Sequence, residues 1–145
     1  MRGKAIAFVA ALVGLLEPGV SRADGFDWAP FEQENVIRVL THDEDGELRD
    51  TKVWVVVLDG SGYVRTNASR WLENIQRNPE VQVQVRGYDY LMRAEEVRAS
   101  TLKEGVEGAY KKKYGLLQRT MSLFRFREPT VLRLVPRGSA LPGSR

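Results

Sequence analysis

The chain has 145 residues, one histidine and no cysteine, with 22 basic against 19 acidic side chains. That length suits one domain, and the missing thiols exclude disulfides, thiolate metal sites, cysteine nucleophiles and a lipoprotein anchor. A formal net charge of +3 gives nucleic-acid binding little support.

Residues 1–23 read as a secretory leader. Arg2 and Lys4 form a basic start, Ala5 to Leu16 is an apolar run, and Ser21-Arg22-Ala23 places small residues where a signal peptidase reads. Cleavage after Ala23 is expected, giving an exported protein, periplasmic or secreted. The apolar run is short for a bilayer span, so no membrane span is expected after cleavage. Arg2, Lys4 and Arg22 against Glu17 put most of the positive excess in the leader. The mature domain, roughly 120 residues, is nearly neutral and large enough for one modest core.

Residues 24–35 are expected to form an N-terminal arm whose Trp28 and Phe31 pack on the body. Val36 to Thr41 reads as a strand, and Asp43-Glu44-Asp45-Gly46 as a solvated turn. Thr51 to Leu58 is the clearest strand, an unbroken β-branched run that suits burial on both faces. Asp59 to Gly62 reverses the chain, and Tyr63 to Thr66 returns as a strand.

Ser69 is placed to cap a helix whose buried face is Trp71, Leu72 and Ile75 and which Asn78-Pro79 ends. Val81, Val83 and Val85 alternate with polar residues as a half-buried strand, and Tyr90 to Val97 pairs back. Thr101-Leu102-Lys103-Glu104 resembles a capping box for a second helix with Leu102, Val106, Ala109 and Tyr110 on one side. Lys111-Lys112-Lys113 reads as its solvated, dipole-favoured end, and Gly115 as its stop. Residues 116–128 suit a short helix or a covering loop. Thr130 to Val135 is the last strand, and 136–145 a flexible tail. The order β-β-β-α-β-β-α-β predicts a mainly β protein: a six-stranded antiparallel barrel with two main helices over residues 36–135.

No triad, metal-ligand spacing, P-loop or Rossmann glycine motif is present; His42 beside a turn of acids reads as a surface residue. Thr66 to Trp71 carries two readings. Helix-start amides and arginines suit a phosphate, and the same residues suit a capped helix with solvated arginines.

Tyr63-Val64-Arg65-Thr66-Asn67-Ala68-Ser69-Arg70-Trp71, followed by Asn74, Asn78-Pro79-Glu80-Val81 and the alternating strand, resembles the FMN-binding split-barrel superfamily. That group includes pyridoxamine phosphate oxidases and deazaflavin-dependent nitroreductases. The resemblance covers about residues 36–135. It implies a homodimer with FMN or a deazaflavin in an interface groove, passing a hydride to a small organic substrate. Lys52 and Arg70 would contact the cofactor phosphate and Arg49 would assist. Thr66, Asn67 and Ser69 would hydrogen-bond phosphate or ring edges. Trp71 stands where the oxidases keep a phosphate-binding lysine, which leans toward the nitroreductase branch; its helical spacing with Ile75 also suits core. The alternative is an exported, non-catalytic split barrel holding a flavin, a haem-like ligand or another small anion.

Overall fold

A computed structural model describes residues 20–21, 26–120 and 128–137. The rest of the expected leader, residues 24–25 at the start of the expected arm, the stretch 121–127 and the tail from residue 138 lie outside the described residues. In chain order the elements are β1 (Val20–Ser21), a 3-10 turn (Ala29–Phe31), β2 (Val36–His42), β3 (Leu48–Trp54), β4 (Val56–Leu58), β5 (Ser61–Thr66), α1 (Arg70–Arg77), β6 (Glu80–Val85), β7 (Tyr88–Glu96), α2 (Ser100–Thr120) and β8 (Thr130–Pro136).

Seven of the strands form one antiparallel path, in the order β3-β2-β6-β7-β8-β5-β4. β1, within the expected leader, adds in parallel to β7 at Asp89 and Tyr90. The path curls, and its two edges, β3 and β4, are consecutive in sequence with only Val55 between them. This is a split barrel, with one strand more along the path than expected. The extra strand comes from the run Thr51 to Leu58, which is not one strand. Val55 leaves the ladder, and its N–H donates to Asn35 O at 3.1 Å. β-Branched continuity hides such a break, because Val55 is fully buried whichever strand it follows.

Two tight turns hold the register. Asp59 and Gly60 have φ of 51° and 79°, and Arg86 and Gly87 have 53° and 83°, the signature of two-residue primed hairpins. Gly62 is therefore strand, not turn. A Cβ there would fall 2.4 Å from the Trp28 ring, so the glycine makes room for that indole. Trp28 is 2 % exposed and donates from Nε1 to Leu134 O at 2.9 Å. Phe26 and Phe31 pack around it, as the arm's aromatics predict.

The concave face holds the main core: Ile37, Val39, Val64, Val83, Met92, Leu134 and the apolar side of α1. Ser69 caps α1 by accepting from Leu72 N at 3.3 Å, and Asn78 ends it. Trp71, Leu72 and Ile75 are buried as expected, and burying each such side chain stabilises by about 1.5–3 kcal/mol relative to exposure. A second core lies between α2 and the outer face, from Val56, Tyr63, Val97, Val106, Tyr110, Tyr114 and Val131.

α2 departs from expectation in three ways. It starts at Ser100, so Thr101 lies inside the first turn. Gly115 does not stop it; the helix bends at Tyr114 (φ −117°, ψ 15°) and runs on to Thr120. Lys113 is not a solvated end. Its Nζ donates to Glu34 O and, at 3.0 Å, to Val55 O. The Tyr114 hydroxyl lies 2.6 Å from Val55 O and 2.9 Å from Asn35 O, and the Tyr110 hydroxyl donates to Trp54 O at 2.7 Å. The helix thus satisfies backbone carbonyls that the β3–β4 break takes out of the sheet. Val106, Tyr110 and Lys113 lie at i, i+4 and i+7, one stripe of the helix, which is how a lysine comes to face inward.

Candidate functional site

The junction of β5 and α1 presents the residues for which the sequence implies a ligand. The Thr66 hydroxyl is 7 % exposed as a residue, donates to Asn67 O at 2.8 Å and lies 3.0 Å from Ser69 Oγ. Ser69 Oγ in turn accepts from Leu72 N. Both hydroxyls therefore serve the helix cap. Asn67 is exposed, and the Arg70 side chain is 61 % exposed; among the described residues its one ion pair is a long 4.0 Å contact to Glu73, and its charge also acts favourably on the Asp43 carboxylate. The first intrahelical bond is Glu73 N to Ser69 O. As at any helix start, the Arg70 and Trp71 amides lack an intrahelical carbonyl. Asn67, Arg70 and these amides remain to meet an anion. Trp71 is 7 % exposed and belongs to the core, so it offers no open ring platform.

Arg49 and Lys52 separate. Along β3, Arg49, Thr51 and Val53 point to the covered side, while Leu48, Asp50 and Lys52 are exposed. Lys52 lies opposite Arg38 on that outer face, three residues from Arg49 and on the other side of the strand.

Arg49 instead completes a network that the sequence reading missed. Its Nε donates to Asp43 Oδ1 at 2.8 Å and its Nη2 to Oδ2 at 2.9 Å, a bidentate fork. Asn74 is 2 % exposed, and its Nδ2 donates to Asp43 Oδ1 at 2.8 Å and to Thr41 Oγ1 at 3.0 Å. Arg77 Nη2 donates to Asn74 Oδ1 at 2.6 Å and to His42 O at 3.0 Å. The β2–β3 turn is thereby fastened to α1. The visible signal was Asn74 itself, an amide beside Ile75 on the apolar face of a short helix.

Asp43 is thus not part of a solvated turn. The Arg49 hydrogen bonds, then that from Asn74, hold its carboxyl down from 3.8 to about 2 against the opposing effect of burial. The same bonds raise Arg49. A depressed carboxylate stabilises the fold above its ordinary range, and the contribution is lost as pH falls from 3.8 toward about 2, where the unfolded chain takes up the proton first. Thermal melts from pH 5 to 2 are expected to show this acid-side loss in the wild type and a shallower one in Arg49→Met. Equal slopes would remove the pair from the stability balance.

Among the described residues no group of three or more His, Asp or Glu side chains is placed to hold a metal. No helix among them is long and apolar enough to cross a membrane.

Solved structures share this architecture. HutZ, the heme storage protein of Vibrio cholerae, is 20% identical with a TM-score of 0.58, covering 74% of this chain and 85% of its own. A Listeria innocua protein provisionally assigned as a pyridoxamine 5′-phosphate oxidase is 19% identical with a TM-score of 0.55, covering 73% and 86%. A FAD-binding protein of Mesorhizobium loti is 18% identical with a TM-score of 0.55, covering 74% and 82%. At these identities the likeness establishes the fold alone, a split barrel. No curated protein matches the sequence. Residues 28–134, from the buried Trp28 to the strand that accepts its hydrogen bond, match the uncharacterized proteins conserved in bacteria grouped as DUF2255, and the chain belongs to that family.

Proposed function

We propose that the protein binds a small, flat, anionic ligand of the flavin or haem class, its negative end meeting the start of α1. The observation that carries this reading is the exposed guanidinium of Arg70 at the first position of α1, beside Asn67 and two helix-start amides. The fold adds support, since split barrels of the same architecture are named for heme storage and FAD binding. These groups suit a phosphate or carboxylate. The ring of the ligand has to find its platform elsewhere, because Trp71 is in the core.

If the ligand is FMN or a deazaflavin, the cofactor supplies a hydride to a small organic substrate, and the protein is a nitroreductase-like oxidoreductase. The chain's own residues then hold the phosphate and exclude water. A non-catalytic carrier of a flavin, a haem-like molecule or another small anion is the second reading. It is favoured by Trp71, which is buried where oxidases of this fold carry a lysine. We further propose a homodimer with the ligand groove at its interface, exported after removal of residues 1–23.

Titration of the purified protein with FMN, a deazaflavin and haemin, followed by absorbance and fluorescence, is expected to reveal one ligand at micromolar affinity. Arg70→Ala is expected to weaken it at least tenfold, about 1.5 kcal/mol. Failure of all three to bind would overturn the proposal. Turnover of a nitroaromatic or quinone by the loaded protein separates enzyme from carrier.

A further inference from the structure

β7 has a strand on both sides along only part of its length. β6 follows it from Tyr88 to Arg93, whereas β8 pairs with it from Met92 to Glu96. Arg137 carries the β8 side one residue further, its N–H donating to Leu91 O at 3.2 Å. Past that point the first residues of β7 present an edge that β8 has left. β1 fills it in parallel, with Val20 opposite Asp89 and Ser21 opposite Tyr90.

The register of β7 and β8 shows what else fits that edge. Met92 stands opposite Pro136, and an antiparallel ladder steps one residue down β7 for each residue up β8. Continued past Arg137, it sets Gly138 opposite Tyr90, Ser139 opposite Asp89 and Ala140 opposite Tyr88. Asp89 and Tyr90 are the residues that β1 holds. Successive residues of a strand turn their backbone groups to opposite sides. Leu91 turns to Arg137, so Asp89, two positions away, turns to the same side, where one strand at a time can bond it.

We propose that residues 20–21 and 138–140 compete for this edge of β7, and that the chain after Arg137 extends β8 along it whenever β1 is absent. The C-terminal segment is the fitting occupant because it is tethered at the spot. Arg137 already pairs, so each further bond closes next to one that is made and has no loop to close. Gly138, Ser139 and Ala140 are small, and no proline interrupts the chain before Pro142. The Tyr90 ring packs on Phe26 with centroids 4.5 Å apart, and a glycine opposite leaves that contact undisturbed while the ring covers the glycine. Tyr88, exposed at the end of β7, gains a neighbour in Ala140. A bare edge invites pairing between chains, and two segments of one chain that take turns keep it covered. Cleavage after Ala23, proposed above, removes β1 and passes the edge to the C-terminal segment. The competition itself stands without that reading, and without whatever Arg70 binds.

The test is NMR of the full chain. Tyr90 and Gly138 would face each other as a pair that exchanges no hydrogen bonds, with Cα atoms about 4.5 Å apart, close enough for a strong NOE between their Hα atoms. That cross-peak is expected to be missing from the wild type and present in Ser21→Pro, which has no N–H at position 21 to offer the edge. Adding Ser139→Pro, which removes the N–H that Asp89 O would accept, is expected to abolish it again. The signal of the Trp28 indole N–H, bonded to Leu134 O, reports that each variant is folded. A Tyr90–Gly138 cross-peak already present in the wild type would overturn the proposal, since the two segments would then not exclude each other. So would its absence from folded Ser21→Pro, or its persistence in the double variant.

Discussion

Trp28→Ala is expected to destabilise the protein by about 3–5 kcal/mol, the range for truncating a buried tryptophan. The indole is 2 % exposed, fills the space above Gly62 and donates to Leu134 O. Its loss opens a cavity and leaves a buried carbonyl without its donor, two costs that add. For a domain of this size the melting temperature should fall by roughly 10–20 °C. A second variant makes the account specific. Gly62→Ala forces a Cβ to 2.4 Å from a rigid ring, so alone it destabilises by overpacking. In the Trp28→Ala background the same methyl has room, and its cost is expected to vanish. A double-mutant cycle in urea reads the coupling; additivity would show that Trp28 is not what the glycine accommodates.

Lys113→Met is expected to cost about 3 kcal/mol, while Lys111→Met and Lys112→Met stay within about 0.5 kcal/mol. All three lysines adjoin in sequence, but only Lys113 reaches the carbonyls of Glu34 and Val55. Burial pulls its pKa down, partly offset by the carboxylates of Glu34 and Glu32. Methionine keeps the bulk and removes the donors. Val55 O retains the Tyr114 hydroxyl at 2.6 Å, whereas Glu34 O loses a charged partner. Urea unfolding of the three variants measures the difference directly. Equal effects at all three positions would return the triple lysine to a solvated helix end.

The pattern-bearing parts of the fold were legible in sequence. Ser69, the Trp71-Leu72-Ile75 face and Asn78-Pro79 mark α1, and the valines of β6 alternate as they pack. What was not legible depends on partners far along the chain. Val55 looks like its neighbours, and its departure from the ladder is set by Lys113 and Tyr114, 58 and 59 positions away. Gly62 read as a turn residue because the need for it comes from Trp28. Gly115 read as a stop because glycine so often ends helices, yet here α2 bends one residue earlier and continues. At the candidate site, composition singled out Thr66, Ser69 and the arginines. Strand alternation then separates Lys52 from Arg49, and Asp43 claims Arg49. A single strand's facing is readable only once its register is known.

The placement of β8 has a bearing on how the chain is made. This strand, the last in sequence among those described, lies inside the sheet between β7 and β5, and it carries the carbonyl that receives the Trp28 indole. On a ribosome, nothing before it can complete the curl or settle the N-terminal arm. Folding has to wait for synthesis to reach residues 130–136, and it then proceeds through pairings distant in sequence, which form slowly. A nascent chain of this design stays open and threadable through most of its translation.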